Sequence, residues 1–276
     1  MTCLQPWIIN PVWQDYSSMW REAVSARESR SGVEQSHHLT AALYFAMSTL
    51  EAFLNSRYRE HFATAKTEEE LYDDLFKGAV LSKVKKWPKL ITGTDLRLRG
   101  DTIGKIAKFN SVRSSLTHPK HEGQKMWHTL DNIEPEEVVE VVAEYIAQFH
   151  LALRRPYEYW LTGWNYLNPT LASHEIMQVN NQQFVFSMQM LGEEINAYDW
   201  NASTAWQARY FSDYSGYVEL RKKLSKLTSC EPKHAQFPYQ PKLCRRWWED
   251  AHHRTCGFVS REAIDYAVNY RPGQGG

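Results

Sequence analysis

Arg113 and His118 set a permanent cation close to a titratable imidazole, within Phe109-Asn110-Ser111-Val112-Arg113-Ser114-Ser115-Leu116-Thr117-His118-Pro119. An imidazole can take up and return a proton near neutral pH, and a guanidinium can grip two oxygens of an anion at once. Side by side they would serve acid–base chemistry on a group that develops negative charge. The spacing says where they could meet. Ile103, Ile106, Ala107, Phe109, Val112 and Leu116 recur at helical intervals, which predicts a helix capped near Asp101 or Thr102 and stopped by Pro119 at or just before His118. At about 100° per residue the two side chains stand roughly 140° apart around that helix. They converge only if the last turn unwinds and the long Arg side chain reaches across, or if a second copy of the helix supplies the partner. Both routes put the site at a helix end, and the second puts it at a dimer interface. Exposed carbonyls there favour a protonated His by about 0.3–1 kcal/mol, and the Arg opposes it, so the His is expected to titrate near neutrality.

Arg113-Ser-Ser-Leu-Thr-His118 resembles the R-x-x-x-x-H motif of the HEPN superfamily, the higher eukaryote and prokaryote nucleotide-binding domains, and its flanks Phe109-Asn110-Ser111-Val112 and Pro119 are similar to what surrounds that motif. Upstream, Ala41-Ala42-Leu43-Tyr44-Phe45-Ala46-Met47-Ser48-Thr49-Leu50-Glu51-Ala52-Phe53-Leu54-Asn55 resembles the family's early core helix with its embedded acidic residue. The likeness covers roughly residues 36–155. It implies an all-α fold, an antiparallel helical bundle, and metal-independent cleavage of RNA by attack of its own 2′-hydroxyl. Arg113 and His118 would be the catalytic pair, and Glu51, Asn110 and Ser114 would line the site. It also implies a homodimer, RNA as substrate, no cofactor or metal, and a toxin or anti-phage setting with an antitoxin or regulatory protein as a further partner. The alternative within the same family is a non-catalytic module that binds a nucleotide or a protein. Family nucleases usually place a polar amide or similar group after the Arg; this chain has Ser114.

The elements that must position the pair follow from periodicity. Residues 1–35 read as an aromatic N-terminal arm, with Trp7, Trp13, Tyr16 and Trp20 packed on the body as an arm or short helix. Residues 36–156 read as the bundle. Its first long helix, Ser36 to Phe62, carries Leu39, Leu43, Ala46, Met47, Leu50, Phe53, Leu54 and Tyr58 on one stripe, with Glu51 beside it, read first as a boundary carboxylate touching a Lys or Arg and second as lining the site. A capping box at Thr67-Glu-Glu-Glu opens a second helix with Leu71, Leu75, Phe76, Val80 and Val84 inward, closed by Lys83, Lys85, Lys86 and Lys89 and broken at Trp87-Pro88. These lysines with Arg97 and Arg99 form a basic span against Asp95, read as a solvated face or, beside an RNA site, a phosphate track. Residues 119–128 read as a loop holding His121 and His128. Glu134-Pro135-Glu-Glu starts a fourth helix with a strong apolar stripe from Val138 to Leu153.

Residues 157–276 read as a mostly helical extension without identifiable chemistry. One segment there, Phe184 to Ile195, alternates enough to suit a strand as well. Cys244, His252, His253 and Cys256 supply zinc-ligand types but no C-x-x-C knuckle, and the residues between them look helical, so no metal is expected. Trp247-Trp248 reads as packing. With 32 basic and 32 acidic residues the 276-residue chain is formally neutral, so any contact with nucleic acid must be local. The absence of a phosphate-binding glycine loop and of H-E-x-x-H argues against classes that depend on them. Four scattered Cys suit a reducing cytoplasm. The N-terminus lacks the pattern of a secretory signal, and no run is long and apolar enough for a membrane span.

Overall fold

The computed structural model describes residues 11–117, 123–162 and 209–228. Among them the chain is all-α, with eight α-helices and no strand. Residues Ile9–Tyr157 form one compact unit, and those from Glu158 onward belong to a second.

The first unit is built around α2, Gly32–Phe62, a helix about 46 Å long at 1.5 Å per residue. Ser31 caps it by accepting from the Glu34 N–H at 3.2 Å. Every residue of the anticipated stripe, from Leu39 to Tyr58, is buried. Helix α1, Pro11–Glu28, is longer than the short segment expected and lies against α2. Asp15 accepts from Ser48 at 2.5 Å and Glu22 pairs with His38 at 2.7 Å, so residue numbers rise on one helix as they fall on the other and the two run antiparallel. Tyr16, Met19 and Trp20 fill that interface.

The single helix expected over Thr67 to Lys89 is two. Thr67 and Glu70 form the capping box of α3, Glu68–Lys77, and Gly78 then turns extended before α4, Val80–Thr92. The apolar spacing carried across this break and hid it. Phe76 consequently leaves the core: it is 71% exposed and stacked on Tyr72 at 4.3 Å, with Leu71 and Leu75 alone buried on α3. Pro88 does not break α4 either. A proline inside a helix removes the hydrogen bond to the carbonyl four residues earlier, here Val84, and the Tyr145 hydroxyl donates to that carbonyl at 2.9 Å. The helix therefore runs on to Gly93, whose positive φ of 77° closes it as the N–H returns to the Lys89 carbonyl.

Helix α5, Thr102–Thr117, carries the motif, and α6, Gly123–Asp131, follows. His128 thus lies on a helix rather than in the loop expected for residues 119–128. Helix α7, Pro135–Ala152, opens with Pro at its first turn and buries Val138, Val141, Val142, Tyr145, Ile146 and Phe149. Seven helices, not the four anticipated, are in place by residue 152.

In the second unit a short 3₁₀ turn, Tyr159–Thr162, is joined to α8, Tyr214–Thr228, by a hydrogen bond from the Tyr217 hydroxyl to the Leu161 carbonyl at 3.2 Å. Asp213 caps α8. Gly216 fits because a Cβ there would fall 2.5 Å from the Arg209 carbonyl oxygen. The Cys244–Cys256 cluster, Trp247-Trp248 and the segment Phe184–Ile195 lie outside the described residues. No described helix is long and apolar enough to cross a membrane.

Candidate functional site

Helix α5 is fixed at its start before it can present anything at its end. Asp101 accepts from the Gly104 N–H at 3.1 Å, capping the first turn. The buried Glu144 of α7 accepts from the Arg99 N–H at 2.5 Å and from the Thr102 hydroxyl at 3.0 Å. Two exact partners for one buried carboxylate set the entry of α5 onto α7. Further along, Lys105 pairs with Glu137 at 2.8 Å and Lys108 donates to the Asn132 carbonyl at 2.7 Å. Ile106, Phe109 and Val112 are the buried face.

Arg113 falls four residues after Phe109 and seven after Ile106, so it starts from the same bundle-facing side, half-buried, one turn before α5 ends at Thr117. Asn110 is half-buried and Ser114 exposed, on the flanks of that line. Thr117 is the last described residue of α5; His118, Pro119 and His121 lie outside the described residues. The structure therefore brings Asn110, Arg113 and Ser114 together in the last two turns of α5.

Glu51 is engaged elsewhere. Lys83, only 1% exposed, donates to Glu51 at 3.1 Å, to the Asn55 side-chain oxygen at 3.0 Å and to the Leu75 carbonyl at 2.5 Å, and lies over the Trp87 ring. All three protons of the ammonium are used. Among the described residues Glu51 pairs with Lys83 alone, so its carboxylate joins α2 to α4. Beside this knot the Tyr58 hydroxyl donates to Asp74 at 2.9 Å and accepts from Lys66, while its ring stacks on Trp87 at 4.2 Å, joining α2 to α3 and α4. Burial raises the Tyr58 pKa, and hydrogen bonds from Lys66 and Tyr58 hold Asp74 below its usual range.

Sequence analysis placed Lys83 in a basic span and did not single out Glu144 or His150. Each is buried. His150 sits against Phe53, its Nδ1 without a hydrogen-bond partner among the described residues, and burial, then Arg57, push its pKa down to about 4. A charged or titratable residue inside an apolar run was the available signal. Among the described residues no group of three or more His, Cys, Asp or Glu could hold a metal ion.

These features define an all-α protein with a half-buried cation on one bundle helix and, between two others, a buried lysine paired with a partly exposed carboxylate. No family model, no curated protein and no solved structure matches the chain.

Proposed function

We propose that the chain is a metal-independent endoribonuclease of HEPN type, acting as a homodimer in a defence or toxin setting with an antitoxin or regulatory protein as partner. One observation carries the reading: Arg113 leaves α5 half-buried from its bundle-facing side, with Asn110 and Ser114 beside it, on a helix anchored at its start by Glu144, and His118 follows five residues later in the sequence. His118 would take the proton from a 2′-hydroxyl as its oxygen attacks the adjacent phosphorus, and the bond to the 5′-oxygen would break. The products are a 2′,3′-cyclic phosphate and a 5′-hydroxyl, the latter protonated by the second His118 of a dimer. Arg113 would hold the phosphoryl oxygens as charge builds, and proton transfer of this kind contributes about 10²–10⁴-fold.

The test is cleavage of RNA in the presence of EDTA, with identification of the new ends. Wild type should leave cyclic phosphates, and His118→Ala should not cut. Equal cutting by both proteins would refute the assignment. The second reading, a module that binds a nucleotide or protein without cutting, is favoured by one feature: Arg113 lies on the bundle-facing side of α5, where it can serve as a buttress. Tight RNA or nucleotide binding without any cleavage would select it.

A further inference from the structure

The chain is neutral as a whole but not in detail. Helix α3 carries Glu68, Glu69, Glu70, Asp73 and Asp74, and the next helix with its following segment carries Lys85, Lys86, Lys89 and Arg97. The structure sorts the basic residues that sequence spacing had grouped. Lys83 is sealed inside and does not belong to the surface set; Arg99 is exposed but pairs with the buried Glu144 at 3.6 Å. Lys85, Lys86, Lys89 and Arg97 are exposed. Lys85, Lys86 and Arg97 have no ion-pair partner among the described residues, and Lys89 has only the exposed Asp95 at 3.3 Å. On α4 the three lysines fall within an arc of about 100°. Lys85 and Lys89, four residues apart, repel each other on that face unless an anion lies over them.

We infer that this face of α4, continued by Arg97, carries the phosphate backbone of a single RNA strand. As to substrate it rests on the ribonuclease reading. The chemistry of the patch favours a polyphosphate over an acidic protein. Protein interfaces have an apolar core depleted of lysine, whereas here lysines predominate and Leu90 is the one large apolar side chain exposed on α4. Phosphate contacts are made by Lys and Arg without such a core. The acidic α3, one short link away, repels a strand on that side, so the strand is confined to α4 and the segment that leads into α5.

The test uses a fluorescent single strand of roughly 20 nucleotides with every 2′-hydroxyl methylated, which cannot be cut, titrated between about 50 and 200 mM salt. Each lost cation should reduce the salt slope of the binding constant by about 0.7, so Lys85→Ala/Lys86→Ala/Arg97→Ala should lower it by about 2 and weaken binding at least tenfold at the lowest salt. Lys77→Ala, on the acidic helix, should change neither. Unchanged slope and affinity in the triple variant overturn the inference, as does a wild type that fails to bind. Displacement of the strand by polyglutamate as readily as by unlabelled RNA also overturns it, because the face would then be a general anion surface. Because the probe cannot be cleaved, the two readings fail separately. Cutting by wild type and the triple variant alike removes the surface and leaves the catalytic pair, whereas slope-dependent binding with no cutting removes the pair and leaves the surface.

Discussion

Lys83 on α4 has its ammonium inside the bundle among Glu51, Asn55 and the Leu75 carbonyl, while Arg113 on α5 stands half open to solvent one turn from the end of its helix. Both are cations on packed helices. The first has each of its donors matched to an acceptor, and the stability of the α2–α4 contact depends on that matching. The second rides on a helix whose start is fixed by Glu144 and Asp101. A buried, fully matched charge holds a fold, whereas Arg113, half-buried on the bundle-facing side of α5, is the cation that the proposed cleavage would use.

The comparison can be broken most severely at Lys83. Replacing it by Ala should cost about 2–4 kcal/mol in urea unfolding, because Asn55 and the Leu75 carbonyl lose their donor and a void remains, while the partly exposed Glu51 can turn to water. A loss under about 1 kcal/mol would mean that the knot is not structural. His150 sharpens the same point through pH. Its folded pKa of about 4 lies below the ordinary 6.5, so between those values the unfolded chain takes up a proton that the folded chain refuses. Stability should therefore fall as pH drops through that window, by on the order of 3 kcal/mol in all, and be insensitive to this group above it. Unfolding curves of His150→Gln should show that slope flattened. Tyr145→Phe should cost about 1–2 kcal/mol, since the Val84 carbonyl freed by Pro88 then has no donor. The smallest effect belongs to the exposed Phe76, whose change to Ser should stay within about 0.5 kcal/mol. A larger loss would return that ring to the core.

Much of the fold was legible because a buried helix face repeats at a fixed interval. The stripe from Leu39 to Tyr58, the capping box at Thr67 and the proline start of α7 all stand where periodicity and end chemistry place them. What escaped depends on contacts between helices. Periodicity alone could not reveal that Gly78 interrupts the helical run, and so it assigned Phe76 inward. Pro88 reads as a breaker until Tyr145, 57 residues later, supplies the missing donor. For the site, sequence gave the types and spacing of Arg113, Asn110 and Ser114, and the structure adds which side of α5 each one leaves from. That Glu51 would be taken by Lys83 could not be read from either helix separately, since neither pattern marks its partner.

The most direct test of the contrast between holding and acting is Arg113→Ala, followed by two readouts on one preparation: its unfolding midpoint and the cyclic-phosphate ends it generates from RNA in EDTA. The midpoint should stay close to that of wild type and cleavage should fall by at least about a hundredfold. Undiminished cleavage, or a collapse of the midpoint like that expected for Lys83→Ala, would contradict that contrast.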